Sequence, residues 1–433
     1  MLDLVRVLRR QVVPVALLFS LVVVSSGWTA DWPTFRGSDR SAVSKETGLL
    51  QSWPTAGPPK AWQAKGAGRG YSSLAIAAGR IYTLGDGVIG TDDADEYLRC
   101  FNDENGELVW KTKTGSPWTS GQPNWQSSRS TPTVDGELVY VITPQGVLVC
   151  CESATGKENW RKDLKAEFDG KKGDGWGYSE SPLIDGELLV CTPGGARNTV
   201  VALDKKTGEL KWKTSRDGDS GAGHSSIVIS TLGDMRVYVQ NTASGMMGIR
   251  ASDGTLLWQF PQKITAMIPL PLVRDDLVFF VEGYAGKGGG GALLKQIPGE
   301  NGTVKIEEIY PVNTKLANKH GGVVLVGDYV YGDSDDKGVP YCADLMTGEI
   351  KWSKRGSGSN SASIISAEGM LYIHFASGVM ALAKASPDDY IEVGSFKVPG
   401  SGERPGWSHP VIANGRLYVR EHDVINCYDI KAK

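Results

Sequence analysis

No run of lysines and arginines occurs anywhere in the chain, and 46 basic against 49 acidic side chains leave a formal charge of only −3. A nucleic-acid surface needs a basic patch to neutralise phosphates, so that class is set aside. Long apolar stretches are scarce as well. Val12 to Val24 is apolar and follows Arg6, Arg9 and Arg10, but it falls short of the roughly 20 residues that a spanning helix needs. Residues 1–30 therefore read as a secretory leader. Cleavage fits after Gly27, with Ser25 small at the third position before it, or after Ala30. The first cysteine in the chain is Cys100, far beyond the apolar core, so no lipid-attachment site accompanies the leader. These features predict an exported protein of the periplasm or cell exterior, not a lipoprotein, without a transmembrane segment once the leader is gone.

Metal and phosphate signatures are missing too. Asp333-Ser334-Asp335-Asp336-Lys337-Gly338 begins like a calcium loop, yet Lys337 stands where an oxygen ligand is required and Asp344 replaces the closing glutamate. This run and Asp92-Asp93-Ala94-Asp95-Glu96 read as solvated loops. Gly286 to Gly291 lacks the strand–loop–helix setting of a phosphate loop. No metal ligand is assigned. The six cysteines show no spacing that dictates a disulfide.

Glycine and tryptophan are abundant instead, and they recur with a period. Ala202-Leu203-Asp204-Lys205-Lys206-Thr207-Gly208-Glu209-Leu210-Lys211-Trp212 is a strand, a turn and a second strand. The same pattern places Gly106 before Trp110, Gly156 before Trp160, Gly254 before Trp258 and Gly348 before Trp352. Glycine supplies the positive φ of a tight hairpin, and tryptophan supplies a large apolar plate between neighbouring sheets. Cys100, Cys150, Cys342 and Cys427 occupy the small-residue slot of Ala202, so they read as buried space-fillers, and Cys151 would point to the opposite face. Upstream of each copy lies another hairpin, marked by Asp135-Gly136, Asp185-Gly186 or Asn414-Gly415. About 45 residues per four-stranded antiparallel unit is the period of a β-propeller.

The tryptophan spacings count the blades. Trp62, Trp110, Trp160, Trp212 and Trp258 follow one another at roughly one period, and Trp352 follows at two. A degenerate blade without its tryptophan is expected from about Pro269 to Tyr310, and a loosened one from Ser361 to about Val398. The last repeat stops after its third strand, and Pro59 to Lys65 around Trp62 has the pattern of the missing outer strand. The fold expected is all-β: one eight-bladed propeller over residues 31–433, closed by an N-terminal strand in the last blade.

The Ala–Asp–Thr–Gly–Trp pattern resembles the tryptophan-docking repeat of the pyrroloquinoline quinone (PQQ) enzyme propellers, which also marks the outer-membrane assembly lipoprotein family BamB. Asp31-Trp32-Pro33-Thr34-Phe35-Arg36-Gly37 resembles the start of many exported PQQ-like propeller proteins. The likeness implies an architecture that dehydrogenases, scaffolds and sensor ectodomains share.

Long or aromatic loops, including those with Trp118, Trp125, Trp176 and Tyr178, are expected on one face. The residues opening the innermost strands, Tyr71, Arg129, Glu180, His224, Lys319, His320, Trp407 and His409, are expected at the channel mouth there. The candidate ligand or partner contacts are Tyr71, Trp125, Arg129, Trp176, Tyr178, His224, His320, Trp407 and His409. No catalytic residue is assignable. The resemblance implies two functions: a non-catalytic scaffold binding a protein or envelope polymer across the loop-rich face, without cofactor, or a small quinoprotein dehydrogenase of alcohols or sugars, holding PQQ and calcium.

Overall fold

The computed structural model describes residues 31–87, 94–262, 267–400, 402 and 404–432. The leader, Asp92 and Asp93 lie outside the described residues. Eight sheets follow one another along the chain, each a four-stranded antiparallel blade at its centre. Blade one spans 75–115, blade two 133–163, blade three 183–214 and blade four 228–261. Blade five spans 272–313, blade six 324–353 and blade seven 362–397. Blade eight takes three strands from 411–429 and its outer strand, Lys60–Lys65, from the other end of the chain, pairing Trp62 with Cys427.

The repeat works as the residue types require. Cys100, Cys150, Ala202, Cys342 and Cys427 pair across the ladder with Trp110, Trp160, Trp212, Trp352 and Trp62, and all six cysteines are free and buried. Four of these tryptophans, Trp62, Trp110, Trp160 and Trp212, lie over the turn glycine of the next blade. A Cβ added at Gly106, Gly156, Gly208 or Gly254 would come within 3.0 Å of the ring of Trp62, Trp110, Trp160 or Trp212 respectively, and each glycine already holds a positive φ. Trp62 and Trp110 also donate their indole N–H to the carbonyls of Asp103 and Ser153 in those turns, at 3.1 and 3.2 Å.

Two blades depart from the repeat, and the structure shows what replaces the plate. In blade five Tyr310 packs against Gly348 of blade six and donates its hydroxyl to Leu345 O at 3.1 Å. The degenerate repeat thus keeps its docking contact with a smaller ring. In blade seven the residue paired with Leu382 is Gly394, and Trp53 fills the space beside it, 2.7 Å from where a Cβ would stand. Trp53 comes from the N-terminal segment, is buried, and meets Tyr372 and Phe396 edge to face. Blade seven also gains a fifth strand that the repeat does not announce, Val43–Ser44, parallel to Ser366–Ala367.

Residues 32–44 cross the central channel. Trp32 bridges Ile76 of blade one, Pro33 O accepts from the Val134 amide of blade two, and Arg40 donates to Pro182 O and Ile227 O of blades three and four. Arg36 donates to Val323 O of blade six, and Phe35 meets His409 beside blade eight at 4.7 Å. A segment touching the innermost strands of so many blades occupies the axis, so the channel is stoppered. Above the stopper, serines and threonines at the strand starts bond from blade to blade: Ser73 Oγ to His409 O, Thr131 Oγ1 from the Ser73 amide, and Ser181 Oγ from the Thr131 amide.

Replacing Trp53 by alanine removes the plate that blade seven lacks and should lower stability by about 3–5 kcal/mol in chemical denaturation, as for other buried tryptophans. Deleting residues 31–65 should abolish cooperative melting altogether. A truncated protein that melts unchanged would contradict the role assigned to this segment.

Candidate functional site

Above the stopper a cavity of about 560 Å³ opens on the face that carries the longer loops. Phe35 and Arg36 form part of its lining, together with residues that open the innermost strands. Of the residues expected at the mouth, Tyr71, Arg129, His224, Lys319, His320, Trp407 and His409 line it, and the loop tryptophans Trp125 and Trp176 join them. Tyr178 and Glu180 do not. Tyr178 is buried, donates its hydroxyl to Pro193 O at 2.8 Å, and belongs to the core between blades two and three. Glu180 turns away from the axis and accepts from the amide and hydroxyl of Thr192. Side chains alternate in extended chain, so Ser179 and Ser181 face the cavity where Glu180 cannot.

The aromatic wall is tightly ordered. Trp407 is held between His320, stacked at 4.1 Å, and Tyr71, tilted at 4.7 Å. Tyr71 donates its hydroxyl to Asn124 O, tying the wall to the loop that carries Trp125. Arg129 donates to Trp125 O and, at 2.8 Å, to Trp176 O, so one guanidinium fixes both loops. Trp125 and Trp176 meet edge to face at 5.8 Å. Arg129 is desolvated and its pKa falls to about 10, leaving it charged at neutral pH.

Sequence reasoning missed a polar network behind Trp176. Asp174 accepts from His224 Nε2 and from Lys172 at 2.9 Å each, and from the Trp176 amide at 3.0 Å. With Nε2 donating to the carboxylate, Nδ1 is left to accept from the Ser179 hydroxyl. Burial, followed by the neighbouring Lys172, lowers the His224 pKa to about 4, so the imidazole is neutral at physiological pH. A hydroxyl–imidazole–carboxylate relay can activate a nucleophile where amide donors also face the attacked oxygen. Here the Ser181 amide is engaged by Ser226 Oγ, and the network's evident effect is to fix Trp176 over His224.

The donor set does not suit a calcium-bound quinone. No aspartate, glutamate, asparagine or glutamine lines the cavity among the described residues, and there too no group of three or more His, Cys, Asp or Glu side chains is placed to hold a metal ion. The buried glutamates Glu96, Glu180 and Glu282 lie below the rim, where desolvation raises each pKa to about 8. Asp333, in the acidic run set aside as a solvated loop, is buried and bonded by Asn318 at 2.7 Å.

An eight-bladed propeller with tryptophan plates docked on turn glycines, and a blind cavity at one end of its axis, defines a tryptophan-docking propeller. A family model described as outer membrane protein assembly factor BamB matches residues 94–354, more than half of the chain, and the chain belongs to that family. An outer membrane protein assembly factor BamB of Burkholderia pseudomallei is 22% identical over 427 residues, covering 96% of this chain and 97% of that one. The solved BamB of Moraxella catarrhalis superposes with a TM-score of 0.56 at 14% identity, over 86% of this chain and 98% of that one. Quinohemoprotein alcohol dehydrogenase from Comamonas testosteroni superposes with a TM-score of 0.61 at 12% identity, over 93% of this chain and 81% of that one. At these identities the structural likenesses establish the shared fold.

The depressed His224 makes a pH prediction with a definite sign. Between about pH 4 and the unfolded value near 6.5, the unfolded chain binds the extra proton, so stability falls as the pH drops through this window. Glu96, Glu180 and Glu282 act oppositely, stabilising the fold at low pH and losing that contribution as the pH rises through about 8. Comparing variants cancels them. His224→Asn should lower the slope of unfolding free energy against pH by about 1.4 kcal/mol per unit within the window. Parallel profiles for the two proteins would refute the buried neutral histidine.

Proposed function

We propose that the protein is an exported, non-catalytic scaffold that binds a protein or envelope polymer across its loop-rich face. The observation that carries this reading is the likeness to BamB along nearly the whole chain, 96% of it against 97% of the Burkholderia pseudomallei protein. That protein is named for outer-membrane assembly, and the reading transfers to this chain the binding role rather than a particular partner. The face itself supports the transfer. Trp125 is 36% exposed, unusually so for so large an apolar side chain, at the tip of a loop anchored through Arg129 and Tyr71. Exposed aromatics on rigid supports suit partner recognition, because little ordering entropy is lost on binding. The leader read in residues 1–30 places the partner in the periplasm or outside the cell.

A quinoprotein dehydrogenase is the rival reading. The fold is shared, and the arginines and aromatic rings of the cavity suit a flat acidic cofactor, but among the described residues no side-chain carboxylate or amide oxygen lines the cavity to ligate calcium.

A photo-crosslinking residue at Trp125 should trap an envelope partner in living cells, whereas the same residue at Leu210, on an exposed outer strand, should not. Equal capture at both positions, or none at Trp125, would sink the face assignment. PQQ with calcium should leave tryptophan fluorescence unchanged and support no dye reduction with alcohols, and turnover would overturn the scaffold reading.

A further inference from the structure

We propose that the stoppered cavity is a binding site for a small sugar acid, whose carboxylate sits on Arg36 at the floor while one of its hydroxyls donates to Nδ1 of His409. This site opens on the loop face and shares Trp125 with it, but it rests on Arg36 and His409 at the floor rather than on what the loop tips bind.

Arg36 is the first observation. It is 3% exposed and lines the cavity, yet its Nε and Nη1 have no hydrogen-bond partner, while Nη2 is fixed on Val323 O. Asp39 is near enough to be felt electrostatically, but its Oδ1 accepts from the amide and hydroxyl of Ser41 instead. Burial draws the guanidinium down to about 10, so it stays charged at neutral pH. A buried cation with unfilled donors is costly to a fold unless an acceptor arrives.

The second observation is the cradle around it. Gly322 lines the cavity at φ +62°, and a Cβ there would stand 2.7 Å from Arg36 Nη1 and 3.9 Å from His409 Cε1. The missing side chain lets the guanidinium lie against this backbone beside His409.

The third is His409, which fixes the class of ligand. Its Nε2 faces His320 O at 3.3 Å, and a carbonyl only accepts, so the proton is on Nε2 and Nδ1 is an acceptor. That Nδ1 is buried and has no partner. Burial followed by Arg36 lowers the ring's pKa to about 3, keeping it neutral. The floor therefore asks for an anionic oxygen at Arg36 and a hydroxyl hydrogen at His409, which a simple carboxylate does not supply and a hydroxylated acid does.

The walls select the body of that acid. Phe35, Tyr71 and Trp407 line the cavity with apolar ring atoms for the C–H groups of a pyranose, and Arg129 and Lys287 add positive charge with no lining carboxylate among the described residues. About 560 Å³ is room for a mono- or disaccharide rather than a polymer.

Calorimetric titration of the mature protein with D-glucuronate, D-glucuronamide, D-glucose and acetate tests the assignment. Glucuronate should bind saturably at one site per chain, and the three other compounds at least tenfold more weakly. Arg36→Gln, verified as folded by circular dichroism, should lose glucuronate binding at least tenfold. If that variant does not fold, the wild-type comparison of glucuronate with its neutral amide decides the role of the charge. No binding of glucuronate, equal binding of the amide, equal binding of acetate, or a folded Arg36→Gln protein with unchanged affinity would each overturn the proposal.

Discussion

The structure depends on one contact made around a circle: a flat side chain of one blade pressed onto the turn of the next. Trp62, Trp110, Trp160 and Trp212 press on glycines, Trp258 donates to Gln296 of blade five at 3.0 Å, and Trp352 donates to Ser386 of blade seven at 2.8 Å. Tyr310 takes its station against Gly348, and at blade seven Trp53 stands beside Gly394 while Phe396 lies against Gly57. Each blade alone would leave both faces of its sheet in water. Adjacent blades bury those faces in pairs, so the stability of any blade rests on its two neighbours. The ring tolerates a smaller ring at one station, as in blade five, but not an empty one, and this is why Trp53 enters where blade seven has glycine.

The segment from residue 31 to 65 meets three demands that the repeats leave open. It supplies the plate of blade seven through Trp53, the outer strand of blade eight through Lys60–Lys65, and the stopper through residues 32–44. The stopper matters most for function, because without it the axis would be an open pore. By bonding to strand-end carbonyls and amides it uses backbone groups that would otherwise need water. It also presents Phe35 and Arg36 upward as a floor.

The blade framework was legible because period, turn glycine and tryptophan are local signals that repeat. The mouth was legible in outline, since Tyr71, Arg129, His224, His320, Trp407 and His409 all open innermost strands. Glu180 follows the same strand-start rule and Tyr178 the aromatic-loop signal, yet neither lines the cavity, because such signals give the neighbourhood but not which of two alternating faces a side chain takes. Trp53 as a remote plate and Arg36 as the floor were not legible. Both depend on the path of a non-repeating segment across the ring, and Arg36 stood in the sequence only as part of an opening motif. The network of Lys172, Asp174, Ser179 and His224 joins residues up to 52 apart through two separate loops, with no spacing to announce it.

Charge is sorted by depth in a way that bears on any ligand. The cavity lining carries Arg36, Arg129, Lys287 and Lys319 and no carboxylate among the described residues. Glu96, Glu180 and Glu282 are buried among hydroxyl and amide partners from Ser128, Thr192 and Asn241. With pKa values raised to about 8, they are mostly protonated at neutral pH and add little negative field beneath the floor. Asp174 is the ionised exception, held below the usual carboxylate range by His224 and Lys172 despite its burial, and it is consumed by those two partners. Asp39 beside Arg36, and Asp174 and Asp86 beside Arg129, offset part of the cavity's positive charge, while the lining itself stays cationic. In a low-dielectric pocket sealed from the far side, such a field acts on a ligand with little screening, so the stopper that closes the axis also makes the cavity a place where anions are favoured.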